Sequence, residues 1–194
     1  MKYKELIIED FLDKLSSTES MPGGGVAAAL VGANAISCAL KVCNLSLGKE
    51  KYKENEELIK ESIHTLEEKR KRFLEYMDED AEHFKTMEEV YKLPKNTLEE
   101  KEKRKEALAN ACLVCSDTPM KIIETAISSL DTVSHLVGKT NVSAASDLKI
   151  AELLLKATVH CGWDNVEINA KYIKDEKYQD KIDEIRKQVE SVKI

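Results

Sequence analysis

Between residues 26 and 47 the chain reads VAAALVGANAISCALKVCNLSL, a run of small and apolar side chains that would cover every face of a helix. A helix that is apolar all round has to be enclosed, either by protein or by lipid. Asn34, Lys41 and Asn44 inside the run weigh against lipid, and Ala28, Gly32, Ala35, Ala39 and Cys43 are small enough to let neighbouring backbones come close. The stretch therefore predicts a close-packed helix, at the centre of a bundle or at a subunit contact, with Gly48 as its stop.

The partners available to such a helix are other helices. Seven glycines and three prolines are spread over 194 residues, and β-branched residues never gather into alternating runs bounded by turn signals. The predicted fold is all-α: one domain over residues 1–194, a bundle of long antiparallel helices around the small-residue helix. The net charge is −6, with acids and bases interspersed, which leaves no footprint for nucleic acid. The opening MKYKELIIEDFLDKL carries acids inside its apolar pattern, unlike a secretory signal, so a cytoplasmic location is expected.

Five cysteines, three of them in apolar helical stretches, fit small buried hydrophobes in a reducing compartment. Cys112 and Cys115 form a C-x-x-C, but no second Cys or His pair stands near them at zinc-site spacing, so no metal is expected.

Apolar spacing places a first helix at about residues 4 to 16 and the longest at about 53 to 92. The long helix carries a heptad seam of Ile59, Ile63, Leu66, Arg70, Phe73, Met77, Asp80, Phe84, Met87 and Tyr91. Arg70 can run its stem along apolar surface and keep its head in water. Asp80 is too short for that, and must be paired, hydrogen-bonded, protonated or set in a cavity. Asp78 points about 200° around the helix from Asp80 and faces a different environment. Pro94 ends this helix, and Asn96 or Thr97 caps the next. Thr118-Pro119 predicts a kink or a restart in that helix, which runs on to a Gly138 stop. GKTNVSAASD then delivers Asn141, Ser143, Ser146 and Asp147 to the start of another helix, and a final amphipathic helix follows Asp175.

Three features are candidates for chemistry. PGGG lacks both the lysine and the preceding strand of a phosphate-binding loop. It reads either as a tight turn or as flexible residues presenting backbone N–H groups at the positive end of a helix. Asp80, a carboxyl in an apolar seam, has its charged form disfavoured, which suits a general acid or base working near neutrality. The alternative is a structural acid satisfied by Lys41 or Asn44. Asp147, at a helix start, is by itself the expected partner of a helix dipole. His64, His83, His135 and His160 show no nucleophile partner or metal spacing. A non-enzymatic scaffold, zipped to a second chain through the heptad seam with Asp80 fixing register, is the rival reading.

PGGG with its small-residue helix, CNLSLGKEKY, DEDAEHF, YKLPK, SDTPMKIIE, NVSAASD and NVEINAKYIKD occur in that order along nearly the whole chain. Together they resemble the cyclodeaminase/cyclohydrolase family of folate enzymes. The resemblance implies an all-helical, dimeric domain that binds reduced folate near the glycine run and the dimer contact, with no cofactor beyond the tetrahydrofolate substrate. Matched position by position, it implies Asp80 and Asp147 as catalytic residues, and Gly23, Gly24, Gly25, Asn44, Lys49, Tyr52 and Asn141 as substrate-binding residues. His83 stands where the family usually has a small residue, and NVSAASD lacks a proline usual between asparagines. The implied activity is methenyltetrahydrofolate cyclohydrolase or formiminotetrahydrofolate cyclodeaminase. The absence of a formiminotransferase segment from these 194 residues favours the cyclohydrolase. Lys49, Lys51 and Lys53 are expected to meet a polyglutamate tail.

Overall fold

The small-residue run becomes α2, Gly24–Ser46, in a computed structural model that describes residues 1–194. Before it lies α1, Ile8–Leu15; after it come α3, Glu56–Lys92, α4, Leu98–Leu136, α5, Ala145–Ala170, and α6, Glu176–Ser191. The only other regular elements are short 3-10 turns at Tyr3–Glu5, Glu50–Asn55 and Val142–Ala144, and there is no strand. Helices α2, α3, α4 and α5 form an antiparallel ring in which α2 packs on α3 and α5, and α4 closes the far side. The small-residue helix is one of the four ring members, and α6 lies across α4 and α5.

Small residues set the spacing within the ring. A Cβ on Gly32 would stand 2.6 Å from Cε1 of the fully buried Phe73, so α2 meets α3 there with no room for a methyl group. Gly162 plays the same part on α5, where a Cβ would lie 2.7 Å from Cγ1 of Ile123 on α4. One stripe of α2 is left uncovered: Ala27, Leu30, Val31 and Cys38 are half-buried, and Asn34, Ser37, Lys41 and Asn44 are exposed. The helix is long and apolar enough to cross a membrane by length and composition, but its other faces are packed against protein.

The heptad seam of α3 turns inward. Ile59, Leu66, Phe73, Met77 and Met87 are buried within this one chain, while Ile63, Arg70 and Phe84 are half-buried and Tyr91 is exposed. That corrects the scaffold reading, because the surface that would zip to a second chain is already spent on α2 and α4. Asp78 lies on the other face, as its spacing predicts, accepting from the Tyr3 N–H at 2.7 Å and pairing with Lys4 at 3.5 Å.

Helix ends follow the sequence closely. Thr97 and Glu100 form a reciprocal capping box at the start of α4. Gly48 and Gly138 take the left-handed φ values +71° and +75° after α2 and α4. Of the kink or restart expected at Thr118-Pro119, the restart does not occur: α4 runs unbroken from Leu98 to Leu136. A proline there forfeits one helical hydrogen bond, but Pro119 is buried and Gly162 of α5 lies against its turn, so packing holds the helix.

Unequal lengths create the site. At 1.5 Å per residue α3 and α4 are roughly 55 Å long, and α2 and α5 only about 35–40 Å. Gly25 at the start of α2 is level with Asp80, so residues 81–92 of α3 project roughly 18 Å beyond the end of α2. The α3–α4 hairpin thus overhangs its neighbours and leaves a notch.

Candidate active site

The notch is a cavity of about 520 Å³, a size suited to one small organic ligand. Its walls are the Ser20–Gly25 corner, the projecting parts of α3 and α4, and the last turns of α5. The Met21–Pro22 peptide at the corner is cis. Gly23 is the extended N-cap of α2 and offers no side-chain cap, so the first N–H groups of the helix are free of one. Gly24 and Gly25 are the first residues of the helix itself. The flexible-loop reading of all three glycines is corrected accordingly: the run is a helix start, and its positive end faces the cavity.

Gly25 carries the tightest contact. A Cβ there would stand 2.5 Å from Oδ1 and 2.6 Å from Cγ of Asp80, whereas a Cβ on Gly24 would meet only Asn165, at 3.6 Å. Absence of a side chain at residue 25 therefore lets the Asp80 carboxylate lie against the first turn of α2. Burial raises the pKa of Asp80 from 3.8 to about 6, and the Val26 N–H works in the opposite direction. Neither Lys41 nor Asn44 satisfies Asp80; Lys41 is paired with Asp147, and Asn44 is exposed. Asp80 is the only carboxylate lining the cavity.

The other sequence candidates gather at the opposite end of α2, about 30 Å along the helix from Gly24. Lys41 Nζ meets Asp147 Oδ2 at 3.0 Å. Asn141 is held by α2, its N–H donating to Ser46 Oγ at 2.8 Å and its Nδ2 to the Leu45 carbonyl at 3.2 Å. Tyr52 is buried, its hydroxyl accepting from the Val142 N–H at 3.3 Å. Lys49, Lys51 and Lys53 lie beside it, Lys53 paired with Glu50 and Lys51 over the Tyr52 ring. Within one chain, then, the structure brings Gly23, Gly24, Gly25 and Asp80 together. It sets Asn44, Lys49, Tyr52, Asn141 and Asp147 apart as a second cluster, and the three lysines do not line the cavity.

Several lining residues escape a sequence reading that looks for acids and glycines. Asn165, Asn169, Lys171 and Tyr172 come from the end of α5 and just after it, and Tyr91 and Arg104 from the hairpin arm. The segment NVEINAKYIKD carried the signal, since Asn165 and Asn169 are one helical turn apart and so share a face. Cys112 and Cys115 also line the cavity, with their thiol pKa values raised by burial, that of Cys112 to about 11. They are neutral apolar lining rather than nucleophiles. His83 turns away to α4, its Nδ1 3.0 Å from Thr118 Oγ1.

A sequence model described as formiminotransferase-cyclodeaminase matches residues 7–188. A methenyltetrahydrofolate cyclohydrolase from Methylorubrum extorquens is 34% identical over 168 residues, covering 87% of this chain and 81% of that protein. In three dimensions the formiminotetrahydrofolate cyclodeaminase of Thermotoga maritima aligns with a TM-score of 0.83 and 26% identity, over 97% of this chain and 92% of that one. The chain belongs to the formiminotransferase-cyclodeaminase family.

Proposed function

We propose that this protein is a methenyltetrahydrofolate cyclohydrolase, interconverting 5,10-methenyltetrahydrofolate and 10-formyltetrahydrofolate, and that Asp80 is its general base. The observation that carries the reading is the Asp80 carboxyl in a cavity against the bare first turn of α2, with a pKa of about 6. Methenylfolate is a cationic amidinium. An ionised Asp80 stabilises that cation and takes a proton from the attacking water, whose oxygen bonds to the bridging carbon. The bond from that carbon to N5 then breaks, N5 takes up a proton, and the carbon remains on N10 as a formyl group. One proton is released overall. The likeness to the M. extorquens cyclohydrolase over most of the chain supports this choice of reaction.

Formiminotetrahydrofolate cyclodeamination is the second reading, supported by the likeness to the T. maritima enzyme. It reaches the same methenyl species by attack of N10 on the formimino carbon, with ammonia leaving, and would use Asp80 in its protonated form. Supplying methenylfolate and formiminofolate separately separates the two. Loss of the methenyl chromophore without ammonia is the expected result; appearance of the chromophore with ammonia assigns the deaminase, and no change with either folate overturns the folate reading.

The same proposal takes the protein as a cytoplasmic homodimer with no cofactor beyond its reduced folate. The uncovered stripe of α2, with Ile150 and Leu153 exposed on the neighbouring α5, supports a contact there. Two α2 helices packed antiparallel about a two-fold axis near Asn34 would place Asn44 of one copy opposite Gly24 of the other, since both lie ten residues from residue 34. That arrangement would join the Asp147 cluster of one protomer to the Asp80 cavity of its partner.

A further inference from the structure

We infer that Arg104 and Lys171 bind the glutamate carboxylates of the folate, at the outer end of the cavity away from Asp80. The inference rests on the folate reading and extends it to the part of the substrate that does not react. Although the chain carries a net charge of −6, its cavity is lined by two cations and one acid, so with Asp80 ionised the lining is still positive. Neither cation has a carboxylate partner in the protein. Arg104 donates from Nη1 to the carbonyls of Tyr91, at 3.3 Å, and Leu93, at 2.8 Å, which fixes its guanidinium at the end of α3 and leaves its other N–H groups for a ligand. The Lys171 ammonium rests 5.1 Å from the centre of the Tyr172 ring. Tyr91 and Tyr172 are large, exposed aromatic rings on the cavity rim, apolar surfaces against which an aryl group can lie.

Spacing along the hairpin agrees with the shape of a folate. Asp80 and Tyr91 are eleven residues apart on α3, roughly 16 Å along its axis. The Arg104 side chain, bonded to the Tyr91 carbonyl, stands near the outer end of that interval. Bonds of ~1.3–1.5 Å add up to about 10 Å from the one-carbon bridge, through the aminobenzoyl ring and amide, to the first glutamate carboxylate. With the bridge carbon at Asp80, the carboxylate falls within reach of a long cationic side chain on the outer wall. The cavity is thus divided by charge: an acid of raised pKa at the inner end for the cationic reacting carbon, and fixed cations outside for the anionic tail. Lys49, Lys51 and Lys53, expected to meet a longer polyglutamate tail, do not line this cavity within one chain.

The test compares two substrates on the intact protein: the methenyl form of tetrahydropteroylglutamate, and that of tetrahydropteroate, which lacks the glutamate. The wild type is expected to show a KM about ten- to a hundredfold lower for the glutamate-bearing substrate, the range for one or two charge-assisted hydrogen bonds. Lys171→Gln and Arg104→Gln each narrow that ratio, and the double variant abolishes it, with kcat for the two substrates falling much less than KM rises. Raising the ionic strength should erode the wild-type ratio and leave that of the double variant flat. Because Arg104 also ties down the end of α3, Lys171→Gln, which breaks no protein hydrogen bond or ion pair, stands as the independent variant. Equal wild-type KM values for the two substrates, or a wild-type ratio retained in both single variants, overturns the inference while leaving the folate reading intact. If neither substrate is converted, the folate reading itself has failed.

Discussion

At the scale of single residues, Asp80, the proposed base, lowers stability when it ionises. Its folded pKa of about 6 exceeds its ordinary 3.8, so between those values the folded state holds more protons than the unfolded state, and stability falls as pH rises. Above pH 6 the ionised carboxylate costs on the order of 3 kcal/mol, two pKa units at about 1.4 kcal/mol each. Asp80→Asn is accordingly expected to melt higher than wild type near pH 7.5, with the difference closing by about pH 4, while turnover falls ~100-fold or more. Wild-type kcat/KM for methenylfolate hydrolysis should rise through pH ~6 and level off above it; a profile falling over that range would assign Asp80 the acid role. Gly25 makes a second residue-scale prediction. Gly25→Ala thrusts a methyl group into the Asp80 carboxylate and should cost activity along with about 1–3 kcal/mol of stability, whereas Gly24→Ala, meeting only ordinary contacts, should fold at least as well as wild type. Thermal melts and single-substrate assays of the two variants check this, and equal behaviour would remove Gly25 from the site. The sequence made the three glycines look equivalent; what separates them is which one has Asp80 behind it.

Among the elements, α2 and α3 show what periodicity can and cannot say. The heptad seam identified the buried face of α3 from Ile59 to Met87, because burial repeats every three or four residues on any packed helix. It did not say whether the partner is the same chain or another, since an apolar stripe is equally content with either. The open stripe of α2 was legible only in its second half, where Asn34, Ser37, Lys41 and Asn44 recur at helical spacing; Ala27, Leu30 and Val31 on the same stripe are no more polar than Ala28, Ala29 and Ala33 on the packed faces. Gly32 is where element packing is most exposed to test. Gly32→Ala should lower stability by roughly 1–3 kcal/mol through collision with the Phe73 ring, measured by denaturant unfolding, with Cys161→Ala, at an exposed position of α5, as a control expected to change little. No loss in Gly32→Ala would mean that the Phe73 ring yields to the methyl group and that residue 32 does not set the α2–α3 spacing. Pro119 carries the opposite lesson: the helix restart that a local rule allows there does not occur where α5 packs on α4.

For the whole molecule, the proposed homodimer is what would bring the two clusters at the ends of α2 together. If each site joins Asp80 of one protomer to Asp147 of its partner, a mixed dimer of Asp80→Asn and Asp147→Asn chains contains one intact site and one doubly altered one. Co-expressing the two inactive variants should then restore about a quarter of wild-type activity, because half of randomly assorted dimers are mixed and each has one working site of two. Sedimentation should report a dimer throughout. No recovery in a mixture shown to contain mixed dimers would confine the reaction to the Asp80 cavity of a single chain.

Local sequence was enough for the all-helical class, the bounds of the main helices to within a few residues, the stops at Gly48 and Gly138, and the anomaly of an acid in an apolar seam. These are local properties, written in spacing, capping and backbone freedom. Tertiary structure decided that Gly25 lies on Asp80, that Arg104, Lys171, Asn165 and Asn169 share their cavity, and that the Asp147 cluster stands a helix length away. Such facts depend on which helices are longer than their neighbours and where they cross, a matter of three-dimensional register between segments as much as about 150 residues apart, as Ser20 and Tyr172 illustrate, and no local pattern encodes that register.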